Sequence, residues 1–370
     1  MSISLVAMLA AGAQAAPGIT VTPFGATSDG RQIDKVVLEN SLGMRLALID
    51  FGATVLSAEV ADRDGQRRNV ILGLPDVKSF EQTPRQYGSI VGRYAGRIGG
   101  ARYTLGGKTV QLQANPSGST LHGGPIGYDH RVWQRERLID ADADVLGVVY
   151  RLHSPHGDQK FPGALDIRVT YRLLRDSDEF QIEYQATTDR PTVLNLTNHA
   201  YFNLAGAAAG AAAMRDHRIA IDADRTTETD SKQVPTGRLL PVAGTPLDLR
   251  QLTDYWPRLQ ALDGGFDHSF VLSRAAGKLA RAAVVEHTVS GRRLEVYTTE
   301  PSLQLYSGGG FNGKEIGSEG VGYQQYGGFA LETQHLPDSP NQPHFPSTAL
   351  YPGQTFKSLT IYRFSTIGKQ

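Results

Sequence analysis

The sequence contains no cysteine. That absence removes disulfide staples, thiolate nucleophiles and cysteine-based metal sites together, and it leaves the cellular compartment open. Net charge is missing too, since 37 Lys plus Arg balance 37 Asp plus Glu. Without a basic excess there is no electrostatic footprint for nucleic acid or for an acidic membrane surface. Helical periodicity is scarce. Residues 251–262 offer a turn or two at most, and Pro257 interrupts them. The ten histidines show no H-x-x-E-H or H-E-x-x-H spacing, so no metal is expected. No nucleophile elbow or P-loop occurs. Gly308-Gly309-Gly310-Phe311-Asn312-Gly313 spells G-x-G-x-x-G, but no helix opens after it to bind a pyrophosphate.

The start of the chain stands apart. An apolar stretch over residues 5–13 leads to Ala13-Gln14-Ala15, which resembles an A-x-A cleavage site, although only the amine of Met1 supplies positive charge. The expectation is a signal peptide or a disordered leader over residues 1–16, with a periplasmic or secreted product in the first case and a cytoplasmic one otherwise. This segment is too short to span a bilayer, and no other long apolar run exists.

What the sequence does have, from about Ile19 onward, is a period of two. Leu165, Ile167, Val169, Tyr171 and Leu173 alternate mostly with polar neighbours, and Phe180, Ile182 and Tyr184 follow an Asp176-Ser177-Asp178 turn. This pair predicts an antiparallel hairpin with one buried face. Similar short strands are expected near 35–38, 44–48, 54–60, 69–72, 294–298, 303–306 and 356–364, separated by turn clusters rich in Gly, Asp, Asn and Pro. The Ala/Gly stretch 205–213 reads as a surface loop. Many strands without strand–helix alternation predict an all-β fold, a large antiparallel β-sandwich. No linker divides the chain, so residues 17–370 are read as a single domain.

Several polar residues sit in unusually apolar or Gly-rich surroundings. Residues 195–204 pack Asn195, Asn198, Asn203 and His199 among hydrophobics. His122 precedes Gly123 and Gly124, which would let other groups approach its ring. Glu332 follows Phe329-Ala330-Leu331, and Asp267 follows Phe266. Titratable groups desolvated in this way acquire pKa values useful for catalysis. Each has a plainer reading: a lone His in a β-protein is usually a hydrogen-bonded structural residue, and a Glu on a strand usually faces water. The residues alone support a polar pocket on a β-sandwich that binds a hydroxyl-rich ligand.

At these same positions the chain resembles the aldose 1-epimerase family. The motifs are Val91-Gly92-Arg93-Tyr94-Ala95-Gly96-Arg97-Ile98, Leu121-His122-Gly123-Gly124, Phe161-Pro162-Gly163, the run 195–204, Pro235-Thr236-Gly237, Phe266-Asp267-His268 and Leu331-Glu332-Thr333-Gln334. They fall in consistent order between about 36 and 364. The resemblance implies a mutarotase acting on free hexoses such as glucose and galactose, on a galactose mutarotase-like supersandwich. It implies Glu332 as general base and His199 as general acid, with Arg97, His122, Asp267 and Gln304 at sugar-binding positions. Gly96 stands where the family often has Asn, and the 308–310 stretch lacks the Asn often found before the equivalent of Phe311. The expected partner is a monosaccharide, with the chain a monomer or homodimer and with no cofactor, metal, nucleic acid or membrane. Two alternatives remain open at this point. One is a noncatalytic carbohydrate-binding protein, which would not need both Glu332 and His199. The other is a hexose-6-phosphate 1-epimerase, for which the motifs offer only Arg93 and Arg97 as cations.

Overall fold

A computed structural model describes residues 17–368. The leader expected over residues 1–16 lies outside the described residues. Three antiparallel sheets dominate the rest. The largest has nine strands, among them Val145–Ser154, Leu165–Leu174, Glu179–Thr188, Phe356–Thr366 and Arg292–Thr298, adjacent in that order. The second has six strands in the order Tyr201–Phe202, Phe329–Gln334, Ser302–Tyr306, Asp267–Leu272, Ala223–Thr229 and Pro235–Pro241. The third is a meander of Gly18–Ala26, Gln32–Glu39, Arg45–Ile49, Thr54–Ala61 and Arg67–Asn69.

The period-two pattern explains how these sheets stack. In the hairpin Leu165–Leu174 with Glu179–Thr188, Leu173 sits opposite Phe180, and Leu165, Ile167, Val169, Tyr171 and Leu173 are all buried. They join one hydrophobic core with Val36, Leu46 and Val55 of the five-stranded sheet and with Phe270, Leu303, Phe329 and Leu331 of the six-stranded one. Removing such a contiguous apolar surface from water is the main drive for the layered packing. Between the nine- and six-stranded sheets, Tyr362 lies against Phe202 with ring centroids 5.4 Å apart, and the hydroxyls of Thr333 and Thr360 meet at 2.6 Å.

The structure differs from the sequence-based expectation at three places. The strand expected over 69–72 ends at Asn69, because the chain there leaves one sheet for another. Leu72 N–H donates to Tyr201 O, and Asn203 N–H to Val70 O, at 2.9 Å each. Pro257 does not interrupt a helix. It lies in the first turn of Tyr255–Gln260, where a missing N–H costs nothing. Residues 205–213 are not purely surface, since Ala207 is buried and a 3₁₀ helix Ala211–Asp216 begins within them and buries Met214. At Gly123 the backbone itself comes close: a Cβ there would lie 2.2 Å from Gly92 O. Among the described residues no helix is long and apolar enough to cross a membrane.

Candidate active site

The six-stranded sheet turns one face to the core and the other to a groove of about 420 Å³. Alternation along Phe329–Gln334 decides which residue goes where. Leu331 points into the core, so Glu332 and Gln334 point into the groove. Gln304 is the direct cross-strand partner of Glu332, and Ser269 is the partner of Gln304. Asp267, two residues before Ser269, shares that face. A polar row thus crosses three strands, each member backed by apolar neighbours.

The opposite wall comes from loops. Gly88 N–H donates to His199 O, and His199 N–H donates to Ser89 O, both at 3.0 Å. Asn198 Nδ2–H donates to Gly88 O at 2.6 Å, and its carbonyl accepts from Ala200 N–H at 3.0 Å. Asn195 ties to Ala95 O and His335 O, and Asn203 to Gly210 O and Gly327 O. The three asparagines of the 195–204 run therefore hold loops together around His199. His122 follows the strand Thr120–Leu121, which pairs with Arg97–Ile98. Gly96 N–H donates to His122 Nδ1 at 3.3 Å, which places the ring proton on Nε2.

All seven residues singled out from the sequence, Gly96, Arg97, His122, His199, Asp267, Gln304 and Glu332, line this groove. His199 Nε2 and Glu332 Oε1 are 3.4 Å apart, and both residues are 3–4% exposed. The His122 and His199 rings meet edge to face at 5.8 Å. Burial pushes the Glu332 carboxyl up to about 8, with the Asp267 charge adding to the rise. Burial lowers His199 to about 3, with His122 contributing, and lowers His122 to about 4. Desolvation disfavours the charged form of each group. Between those limits the Glu332–His199 pair carries one proton, which one group can give while the other receives.

Three groove-lining residues each carry a buried side-chain oxygen without a hydrogen-bond partner: Gln304 Oε1, Gln334 Oε1 and Ser269 Oγ. Unsatisfied polar atoms are costly. Sequence reasoning missed Ser269, Gln334, Tyr306, Arg85, Gln86 and Gln233, which also line the groove. For Ser269 and Gln334 the signal was available, as each lies two residues beyond a selected carboxylate on the same strand. Gln233 lies in the polar segment 230–234, which reads as an ordinary solvated turn. Arg93, by contrast, is only 2% exposed and spends its guanidinium on Tyr128, Ser154, Thr192 and the carbonyls of Pro162 and Gly163.

A family model described as aldose 1-epimerase matches residues 34–363. The chain belongs to the aldose 1-epimerase family. Galactose mutarotase of Mus musculus is 39% identical over 349 residues, covering 94% of this chain and 98% of that one. Aldose 1-epimerase of Escherichia coli K12 is 38% identical over 344 residues, covering 91% and 96%. Among solved structures, galactose 1-epimerase from Lactobacillus acidophilus superposes with a TM-score of 0.83 at 27% identity, covering 95% of this chain and 100% of that one. An aldose epimerase homologue from C. elegans gives 0.81 at 28% identity, covering 90% and 99%. The antiparallel layers described above are those of the galactose mutarotase-like fold.

Proposed function

We propose that this chain is an aldose 1-epimerase that interconverts the α and β anomers of free hexoses such as glucose and galactose. The observation that carries the reading is the 3.4 Å approach of Glu332 and His199 on the floor of a polar groove. O1 and O5 of a cyclic sugar hang from the same carbon, so two groups this close can serve both of them. Glu332 takes the proton from the C1 hydroxyl while His199 Nε2 gives one to O5. The C1–O5 bond breaks, the aldehyde rotates about C1–C2, and the reverse transfers close the ring on its other face. The single proton of the pair suffices for this exchange, because each transfer returns what the other removes. The incoming C1 hydroxyl, donating to Glu332, favours its carboxylate form and shifts the proton toward His199. Arg97 and Asp267 orient the ring through charge-assisted hydrogen bonds. No external group is transferred, so no metal or nucleotide enters the scheme.

Two features count against the alternatives. A sugar-binding module has no need for a carboxyl and an imidazole desolvated side by side. A 6-phosphate would need several free cations, but Arg93 is consumed inside the protein and Arg85 is paired with Glu315 and the Gly310 carbonyl, which leaves Arg97, among the described residues, as the one groove-lining arginine without a carboxylate partner. The test is the decay of optical rotation of freshly dissolved α-glucose and α-galactose, compared with their 6-phosphates. Acceleration of the free sugars is expected; no acceleration above the spontaneous rate, or a preference for the phosphates, overturns the reading. The apolar leader supports export, and N-terminal sequencing from the native host checks it, since an intact Met1 is incompatible with cleavage.

A further inference from the structure

Gln233 spans the groove between two of its charged side chains. Arg97 Nη2 donates to Gln233 Oε1, and Gln233 Nε2 donates to Asp267 Oδ2 at 3.0 Å. The other Asp267 oxygen accepts from Gln304 Nε2 at 2.6 Å. One carboxamide thus joins Arg97 on the loop wall to Asp267 on the sheet. The segment that delivers it is tightly built. Asp230 Oδ1 accepts from Lys232 N–H at 2.8 Å and from Val234 N–H at 2.9 Å, while Gln233 N–H donates to Asp230 O at 2.9 Å. Gln233 itself is held at φ +60°, a conformation uncommon for a residue other than Gly, Asn or Asp. The turn therefore aims this side chain, instead of leaving it to wander in solvent.

A carboxamide has two N–H donors and two acceptor lone pairs. The two bonds above use one of each, which leaves one donor and one acceptor available at the groove. A sugar hydroxyl both donates and accepts, so it matches that remaining pair. Position 96, which also lines the groove, carries no side chain in this chain. Gly96 has φ +77°, and a Cβ there would lie 2.9 Å from the Pro337 ring.

We propose that Gln233 is a substrate-contacting, specificity-determining residue, whose carboxamide binds one ring hydroxyl of the hexose beside Arg97 and Asp267. This rests on the epimerase reading of the same groove. The experiment compares wild type with Gln233→Met, which keeps the length and removes the hydrogen bonds, and with Gln233→Ala. Mutarotation and calorimetric binding are measured for glucose and for its 2-, 3-, 4- and 6-deoxy analogues, with circular dichroism melts to verify folding. For glucose, KM and Kd should rise about five- to tenfold in both variants, with kcat within about twofold of wild type. For the one analogue that lacks the hydroxyl in question, the variants and wild type should bind alike. An unchanged KM for glucose overturns the proposal. So does an equal penalty across every deoxy sugar, which would mean that Gln233 only steadies Arg97 and Asp267. Wild-type protein that binds glucose without turning it over would defeat the epimerase reading, and the calorimetric comparison would still decide Gln233. Wild type that neither binds nor converts any of these sugars overturns both.

Discussion

Burial holds the Glu332 carboxyl up at about 8 and the His199 imidazole down at about 3, so the pair keeps one proton across the range between them. If that singly protonated pair is the working form, kcat/KM falls as pH rises through about 8, where Glu332 gives up the proton. A pH–rate profile that climbs above pH 8 would contradict this. Removing either partner removes one proton transfer, so Glu332→Gln and His199→Asn should each lower kcat by at least about 10²-fold; polarimetric rates near wild type in either variant would refute the roles. The same burial has a cost in stability. A carboxyl whose folded pKa lies above its ordinary value of 4.5 binds its proton more tightly when folded. Its contribution is therefore fully present below about pH 4.5 and is lost as pH rises toward 8. Glu332→Gln, which cannot ionise, should melt higher than wild type at pH 8 by the equivalent of a few kcal/mol, with the gap closing near pH 4. Thermal melts at the two pH values check the sign.

The strand Phe329–Gln334 serves the core with one face and the groove with the other. A register slip of one residue would turn Glu332 into the core and Leu331 into the groove, so the ladder with Ser302–Tyr306 is as important as the carboxyl itself. On the loop wall, Asn198 brackets His199 by tying to Gly88 O and Ala200 N–H. Asn198→Ala leaves the Ala200 N–H without this acceptor and Gly88 O with Val55 N–H alone, which loosens the imidazole, so kcat should drop about tenfold or more while KM changes little. Kinetics well below the melting temperature would show this, and an unchanged kcat would remove Asn198 from the positioning role. Gly123 has φ +86° and faces the Gly92 carbonyl, with no room for a Cβ. Gly123→Ala should cost about 3 kcal/mol or more, read as a lower denaturant midpoint.

Across the whole molecule, the sheets are joined by more than apolar contact. Arg292, at the start of a strand in the nine-stranded sheet and 1% exposed, donates to Val60 O and Gln66 O beside the five-stranded sheet and to Leu204 O beside the six-stranded one. Asp62 stands 3.6 Å away as its counter-ion. Arg292→Met strips three carbonyls of a donor, those of Val60 and Leu204 buried, and leaves Asp62 without this partner. A loss of about 3–5 kcal/mol and a melting temperature lower by several degrees are expected. An unchanged melt would show that packing alone holds the three layers.

Local pattern determined the strands. Alternation over residues 165–184 was enough to specify a hairpin and its buried face, because a side-chain period of two leaves only two ways to turn. The polar residues embedded in apolar or Gly-rich stretches were equally visible, since burying such groups conflicts with their preference for water; His122, His199, Asp267 and Glu332 among them reached one groove, together with Gly96, Arg97 and Gln304, which the family resemblance had implied. Three things escaped. The chain's departure from its sheet after Asn69, the consumption of Arg93 by distant carbonyls and the bridge made by Gln233 depend on partners tens to hundreds of residues away. A turn such as 230–234 looks the same in sequence whether its side chain meets solvent or an aspartate across a groove. Composition and periodicity act between neighbours along the chain, whereas the 3.4 Å meeting of Glu332 and His199 and the pKa shifts that follow arise only when the sheets close around them.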